Sequence, residues 1–270
     1  MKKTVVVLGA NADIGSKMCE FYVKDGFRVI GTYRNLSENI KTLKKLKNMV
    51  LLKCDITKKE EVMRLAEYFE KARSRWTTVL ISVGTSEPIG PFFGLSFDKW
   101  EDSLQVNCIS QLRALHMLHK YRIKKGMANI VLFAGGGTNN PFRYYSAYCV
   151  SKIMLIKMCE LLDDENKDLK VFIIGPGFVR TKTHFETIKA GENAGLNYCR
   201  VRKFLDSGDP GTPVKKIYES LRWLERQGRE IVGGRNFSIV NDKFGDKRLI
   251  SALKKDFNMY KLRRYRNEWD

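Results

Sequence analysis

Thr4-Val5-Val6-Val7-Leu8, running directly into Gly9-Ala10-Asn11-Ala12-Asp13-Ile14-Gly15, decides how this chain is read. A short, continuously apolar run opens onto a turn with glycine at both ends, and an amphipathic stretch, Ile14–Lys24, follows. The run reads as a first buried strand and is too short for the apolar region of a secretory signal. A glycine-rich turn between a strand and a helix lets backbone approach a pyrophosphate. The helix N-terminus then offers free N–H groups and a favourable dipole. Two glycines in such a place can also make nothing more than a tight turn. The weight comes from its position as the first strand–helix turn of an alternating chain.

Working outward, Phe27–Thr32, Met49–Lys53, Val79–Ser82, Asn129–Phe133, Lys170–Ile174 and Asn236–Val240 read as further short strands. Helical patterns lie between them at Leu36–Lys47, Lys58–Ala72, Phe97–Lys125, Tyr144–Leu162 and about Pro213–Gln227. Alternation of this kind predicts βαβ units with right-handed crossovers and a parallel sheet. The expected fold is a single doubly wound α/β domain over 1–242 of the 270 residues. The alternation stops at Phe178–Gly211, which holds Gly191, Gly195, Gly208, Pro210 and Gly211 and reads as an irregular substrate loop or lid. Residues 243–270 form a basic, partly helical tail, expected to pack on the same domain or on a partner subunit.

Composition narrows the function classes. Hydrophobic residues make up 43%, enough for a full core, and no apolar run reaches the length of a membrane span. The six cysteines show no C-x-x-C pair and read as reduced core residues of a cytoplasmic protein. The net charge of +19 is spread along the chain rather than clustered, which suits a solvated surface better than a nucleic-acid face. It would also suit a phosphorylated substrate. His116 and His119 lie three apart, without a third ligand at matching spacing, and no metal is expected.

The end of the second strand, Gly31-Thr32-Tyr33-Arg34-Asn35, carries no carboxylate of the kind that binds ribose hydroxyls of NAD. Arg34 would instead suit the 2′-phosphate of NADP, with Lys17 assisting, although an ordinary exposed arginine gives the same letter. Asp55, after the third strand, is placed either to meet the adenine edge or simply to make a turn. Tyr148-Cys149-Val150-Ser151-Lys152 puts a phenol and an ammonium one helical turn apart. A free tyrosine titrates near ~10, and a nearby ammonium would lower that toward neutral pH.

Taken in order, these motifs resemble the short-chain dehydrogenase/reductase family in its compact, Rossmann-type, single-domain form. The resemblance rests on Gly9–Gly15, Asp55-Ile56, Gly84 at the end of Ile81-Ser82-Val83-Gly84, Asn107, Tyr148 with Lys152, and Pro176-Gly177-Phe178-Val179-Arg180-Thr181. It implies hydride transfer between NADP and a carbonyl or alcohol carbon. Tyr148 would exchange the proton, Lys152 would hold the nicotinamide ribose, Asn107 would kink its helix and place a water, and Thr181 would bind the carboxamide. Gly9, Asn11, Asp13, Ile14, Gly15, Arg34, Asp55, Ile56, Gly84, Pro176, Gly177 and Val179 complete the implied cofactor site. Asp13 stands where the family has its middle glycine. Gly135 stands where the family has a carbonyl-polarising serine, and Thr138 or backbone N–H groups of Gly135-Gly136-Gly137 are the substitutes at hand.

Ala134–Thr138, Ser146-Ala147-Tyr148, Arg248–Ala252 and Leu262-Arg263-Arg264 are similar to reductases of bacterial surface-polysaccharide pathways. That similarity implies a small-molecule substrate such as a sugar, phosphorylated or nucleotide-linked. The family also implies a homodimer or homotetramer. The missing serine leaves a second reading open, a cofactor-binding regulatory homologue without efficient turnover. His184 reads as a loop residue, either touching substrate or solvated. Phe142, Tyr144 and Tyr145 read as substrate wall or core packing.

Overall fold

The apolar runs pair into one seven-stranded parallel sheet in the computed structural model, which describes residues 3–264. The strands are β1 (Thr4–Leu8), β2 (Arg28–Tyr33), β3 (Met49–Lys53), β4 (Thr78–Ile81), β5 (Ala128–Phe133), β6 (Leu169–Gly175) and β7 (Asn236–Ser238). Their order is β3-β2-β1-β4-β5-β6-β7, so the chain winds outward through β2 and β3, then returns to the other side of β1. The reversal opens a crevice beyond the C-terminal ends of β1 and β4, where ligands bind in folds of this kind.

Helices cover both faces. They are α1 (Asp13–Lys24), α2 (Glu38–Leu43), α3 (Lys59–Lys71), α4 (Phe97–Leu104), α5 (Ser110–Leu118), α6 (Ser146–Glu165), α7 (Lys182–Ala190), α8 (Leu196–Asp206), α9 (Val214–Arg226), α10 (Arg229–Val232) and α11 (Lys247–Lys255). In β1, Val6 and Leu8 join the layer containing Phe69 of α3, Leu118 of α5 and Leu155 of α6. Val5 and Val7 join the opposite layer, with Met18 of α1, Ile40 of α2, Leu221 of α9 and Leu253 of α11. Burial on both faces is why these strands are continuously apolar. Each fully buried Val or Leu adds roughly 1.5–3 kcal/mol of hydrophobic stabilisation.

Three elements differ from the sequence reading. The stretch expected to be an irregular lid, Phe178–Gly211, carries two helices, α7 and α8. Thr181 caps α7 in a reciprocal box with His184, and Gly191 and Gly195, both at φ 54°, break the path to α8. The close spacing of these glycines hid the helical pattern. The helix expected over Phe97–Lys125 divides into α4, a π-helical turn at Gln105–Ile109, and α5, which ends at Leu118. Beyond it the chain turns so that Tyr121 O accepts from Trp76 N at 3.0 Å, tying it to the lead-in of β4. The helix expected over Leu36–Lys47 is shorter, beginning where Ser37 caps Ile40 N.

Candidate active site

The cofactor turn is built as its glycines demand. Gly9 sits at φ +91°, and a Cβ on Gly15 would lie 2.2 Å from Gly9 O, so neither position takes a side chain without rebuilding the turn. The N-cap of α1 is Ala12, which has no side-chain acceptor. Ser37, Ser96 and Asp246 cap α2, α4 and α11, but the first-turn N–H groups of Asp13, Ile14 and Gly15 receive no such cap. Uncapped donors beside a backbone cradle fit a dinucleotide phosphate. Asp13 is exposed, and its Oδ2 accepts from Lys182 N at 3.0 Å. The carboxylate thus lies between the N-termini of α1 and α7.

Arg34 stands exposed just beyond β2 and makes no ion pair among the described residues, whereas Lys17 is paired with Glu20 at 2.9 Å. Asp55 Oδ1 accepts from Thr57 N and Thr57 Oγ1 at 3.0 and 2.7 Å, which closes a turn. Ile56 is buried in the core layer under α3.

At the candidate reacting centre, Tyr148 and Lys152 lie on one face of α6 and line a cavity of about 1000 Å³. Asp13, Ile14, Gly84, Pro176, Gly177, Val179 and Thr181 line the same cavity. Lys152 is buried, and its Nζ donates to Phe133 O at 2.9 Å. That ammonium sits 5.6 Å from the centre of the Tyr148 ring. Burial lowers the Lys152 ammonium to about 8. The Tyr148 phenol, expected to be lowered by that ammonium, is instead raised, chiefly by burial and further by Cys149 and Glu186. The phenol is therefore protonated at neutral pH. Its hydroxyl lies where a Cβ of Gly135 would be, 1.9 Å away. Thr138 and the glycines Gly135–Gly137 line the cavity beside it.

Asn107 is fully buried in the π-helical turn. Its Oδ1 accepts from Thr85 N at 2.9 Å, and its Nδ2 donates to Thr85 O at 2.9 Å and to Ser103 Oγ at 3.1 Å. The side chain thus binds the loop after β4 like a paired strand residue. Gln111 adds a second tie, from Nε2 to Val83 O at 2.9 Å and to Val106 O at 3.3 Å. The helical break and the β4 loop are one unit, held by the Asn107 amide, which the sequence singled out for another role, and by the Gln111 amide, which it did not.

Glu186 is the other residue the sequence reading missed. It accepts from Thr85 Oγ1 at 3.1 Å and from both Ser86 N and Ser86 Oγ at 2.7 Å, and it pairs with Lys182 at 3.5 Å. Through it α7 is fastened to the β4 loop. No local spacing announces a contact between residues a hundred apart. Thr181 Oγ1 shares a hydrogen bond with Thr183 Oγ1 at 2.9 Å. His184 is half-buried and lines the cavity, its ring packed between Phe178 and Phe204 with centroids 5.2 Å from each. Phe142 stacks on Tyr145 at 4.2 Å and both line the cavity, while Tyr144 is exposed at φ 73°.

The profile of the short chain dehydrogenase family matches residues 3–191. The chain belongs to that family. A "Dehydrogenase/reductase SDR family protein 7-like" of Dictyostelium discoideum is 23% identical over 199 residues, which is 67% of this chain and 60% of that relative. The chain thus spans somewhat less than two thirds of that protein. An NAD-dependent glycerol dehydrogenase of Listeria innocua is 24% identical across 88% of this chain and 92% of its own length. The crystal structure of a short chain dehydrogenase/reductase of Saccharomyces cerevisiae superposes with a TM-score of 0.75 at 20% identity, covering 92% of this chain and 98% of that one.

Burying Lys152 costs this short-chain dehydrogenase stability, and the pH dependence follows from the direction of its shift. The folded chain holds that proton to about 8, whereas an unfolded lysine holds it to ~10.4. Between those values the unfolded chain binds more protons, so stability rises with pH. Below about 8 the cost is present in full. Lys152→Met is expected to stabilise the fold at pH 7 by roughly 1–3 kcal/mol, net of the lost hydrogen bond to Phe133 O. Thermal melts at pH 7 and pH 10 check this, with the difference from the parent shrinking at the higher pH.

Proposed function

We propose that the chain is an NADP-dependent oxidoreductase that reduces a carbonyl, or oxidises the matching alcohol, on a sugar or nucleotide-linked sugar of the kind used in bacterial surface polysaccharide. The observation that carries this is the convergence of Tyr148, Lys152 and the cofactor turn on one cavity, with Asn107 bracing its wall. The dinucleotide, when bound, supplies the hydride. The free N–H groups of Asp13, Ile14 and Gly15 would hold its phosphates, with Asn11 and Gly84 alongside. Pro176, Gly177, Val179 and Thr181 would flank the nicotinamide.

Tyr148, protonated at neutral pH, donates its phenolic proton to the substrate oxygen during reduction. Lys152 holds a positive charge beneath the phenol, which favours the phenolate once that proton has left. Asn107 fixes the β4 loop through both atoms of its amide, so any part it takes in placing a water would fall to its backbone rather than its side chain. Gly135 lies against Tyr148, and Gly136, Gly137 and Thr138 line the same cavity, where their N–H and O–H groups would be donors for the substrate oxygen. The polyol substrate named for the Listeria relative is in keeping with a hydroxylated substrate. Six free cysteines suit a reduced, cytoplasmic setting. Assembly as a homodimer or homotetramer would use α4, α5 and α6, where Phe97, Val150 and Leu161 are exposed.

Arg34 carries the cofactor preference. Arg34→Ala is expected to raise KM for NADPH by about ten- to a hundredfold, the loss of one charge-assisted phosphate contact, and to leave KM for NADH nearly unchanged. Steady-state kinetics with a panel of keto-sugars and keto-sugar nucleotides provides the measurement. Equal use of NADH and NADPH by the parent chain would remove the role given to Arg34. Tight NADPH binding without turnover of any carbonyl would favour the regulatory reading.

A further inference from the structure

The cavity around Tyr148 extends to a wall made by the end of the chain, where Tyr260, Lys261 and Leu262 line it together with Asn236 and Asn241. This wall is firmly built. Arg235, only 1% exposed, donates to Leu253 O at 2.7 Å, Asp256 O at 3.2 Å and Met259 O at 3.1 Å. A guanidinium is expensive to bury unless its donors are satisfied, and here three carbonyls of the tail satisfy them. Asn236 N donates to Tyr260 O at 2.8 Å, and Tyr260 packs edge-on against Phe237. Arg263 clamps both carboxylate oxygens of Glu160 on α6, at 3.0 and 2.5 Å. Among the described residues, the tail as far as Arg263 is thus bonded to its own chain and lines this cavity.

The charges lining the cavity do not balance. Its carboxylates are Asp13, which accepts from Lys182 N, and Asp242, which accepts from Ser238 N. Its cations are Lys152, Lys182, Arg200 and Lys261. Lys152 is engaged by Phe133 O and Lys182 by Glu186. Arg200 lies over the Phe178 ring at 5.1 Å, and Lys261 lies over the Phe257 ring at 3.3 Å. Neither has a carboxylate within ion-pair distance among the described residues. Lys261 is also crowded by Arg235 and Arg263, and burial and those charges lower it against the pull of Glu160 and Asp163. The cofactor's phosphates belong at the turn after β1, whereas Lys261 lies beside β7, with β4, β5 and β6 between.

We propose that Lys261 and Arg200 make the substrate end of this cavity an anion site, which takes a phosphate or carboxylate carried by the substrate. The inference rests on the reading of the cavity as a carbonyl-substrate site and names the chemistry that reading leaves open. Two lining cations that make no ion pair among the described residues favour an anionic occupant, because charge-assisted bonds strengthen as water is excluded.

The test is calorimetric titration of the NADP-loaded protein with three ketones: dihydroxyacetone, dihydroxyacetone phosphate and hydroxypyruvate. The first is neutral, the second adds a phosphate and the third a carboxylate, so the preferred ligand separates the two sources of anion. The parent is expected to bind one of the anionic ketones at least about tenfold tighter than dihydroxyacetone, and in Lys261→Met and Arg200→Met that ratio falls toward one. The preference should also weaken from 50 to 500 mM salt in the parent. Equal affinity of the parent for all three ketones, or a preference that survives both substitutions, overturns the proposal. Turnover is read separately: failure to reduce any ketone would count against the oxidoreductase reading, while the binding ratios still judge the anion site.

Discussion

Tyr148→Phe is expected to lower kcat by about 10²–10⁴-fold, the contribution typical of one positioned general acid. The melting temperature should change little. The Tyr148 hydroxyl makes no hydrogen bond among the described residues, so removing it leaves no partner unsatisfied. The expected pair of results, chemistry lost and fold retained, separates a catalytic phenol from a structural one. Reduction followed by loss of NADPH absorbance, beside a thermal melt of the same preparation, gives both readings. Activity surviving in the phenylalanine variant would remove Tyr148 from the reaction.

Gly135→Ala should be nearly as damaging, through geometry alone. A Cβ at this position would lie 1.9 Å from the Tyr148 hydroxyl oxygen, 2.5 Å from Cζ and 2.7 Å from Cε1. No real contact is that short, so the phenol must move by about an ångström, which on its own costs on the order of 10²-fold in rate. Gly135→Ser carries the same Cβ, so restoring the family's usual residue is expected to lower activity too. Gly136→Ala serves as the control, because its Cβ would meet the Phe142 ring at an ordinary 3.4 Å. A serine variant faster than the parent would show that Tyr148 works from a different position. In this chain glycine at 135 provides the space in which the phenol sits, and the missing hydroxyl is one side of that arrangement.

That packing also marks where sequence reading stops. The Gly9–Gly15 turn and the Tyr148–Lys152 spacing were legible because each is local: a strand end, a helix start, one turn of helix. The central strands β1, β4 and β5 were legible because burial on both faces writes a nearly unbroken apolar run. The helices α7 and α8 were not, since Gly191 and Gly195 interrupt a modest amphipathic pattern and the helix start is set by the Thr181–His184 box. Glu186 on the β4 loop, Asp13 on Lys182 N and Arg235 on the tail carbonyls join distant segments, and no spacing along the chain encodes them. The direction of the Tyr148 shift was misjudged for the same reason. Spacing suggested the ammonium, but burial, which depends on the whole cavity, sets the direction, with Cys149 and Glu186 adding to it.

The place of β1 in the sheet has a consequence for how the molecule comes into being. β1, the earliest of the described strands in chain order, is a central one, flanked by β2 and β4. Val5 can pair with Val29 soon after synthesis, but its other edge waits for Thr78. Until then a fully apolar strand has one side unsatisfied. Closing so long a loop is slow, and an unpaired apolar edge invites association with other chains meanwhile. The cofactor turn hangs from the end of this strand, with Ser82 N bonded to Leu8 O. The crevice proposed for the dinucleotide therefore does not exist until β4 has paired, and a cofactor bound there would stabilise only the late, nearly complete fold.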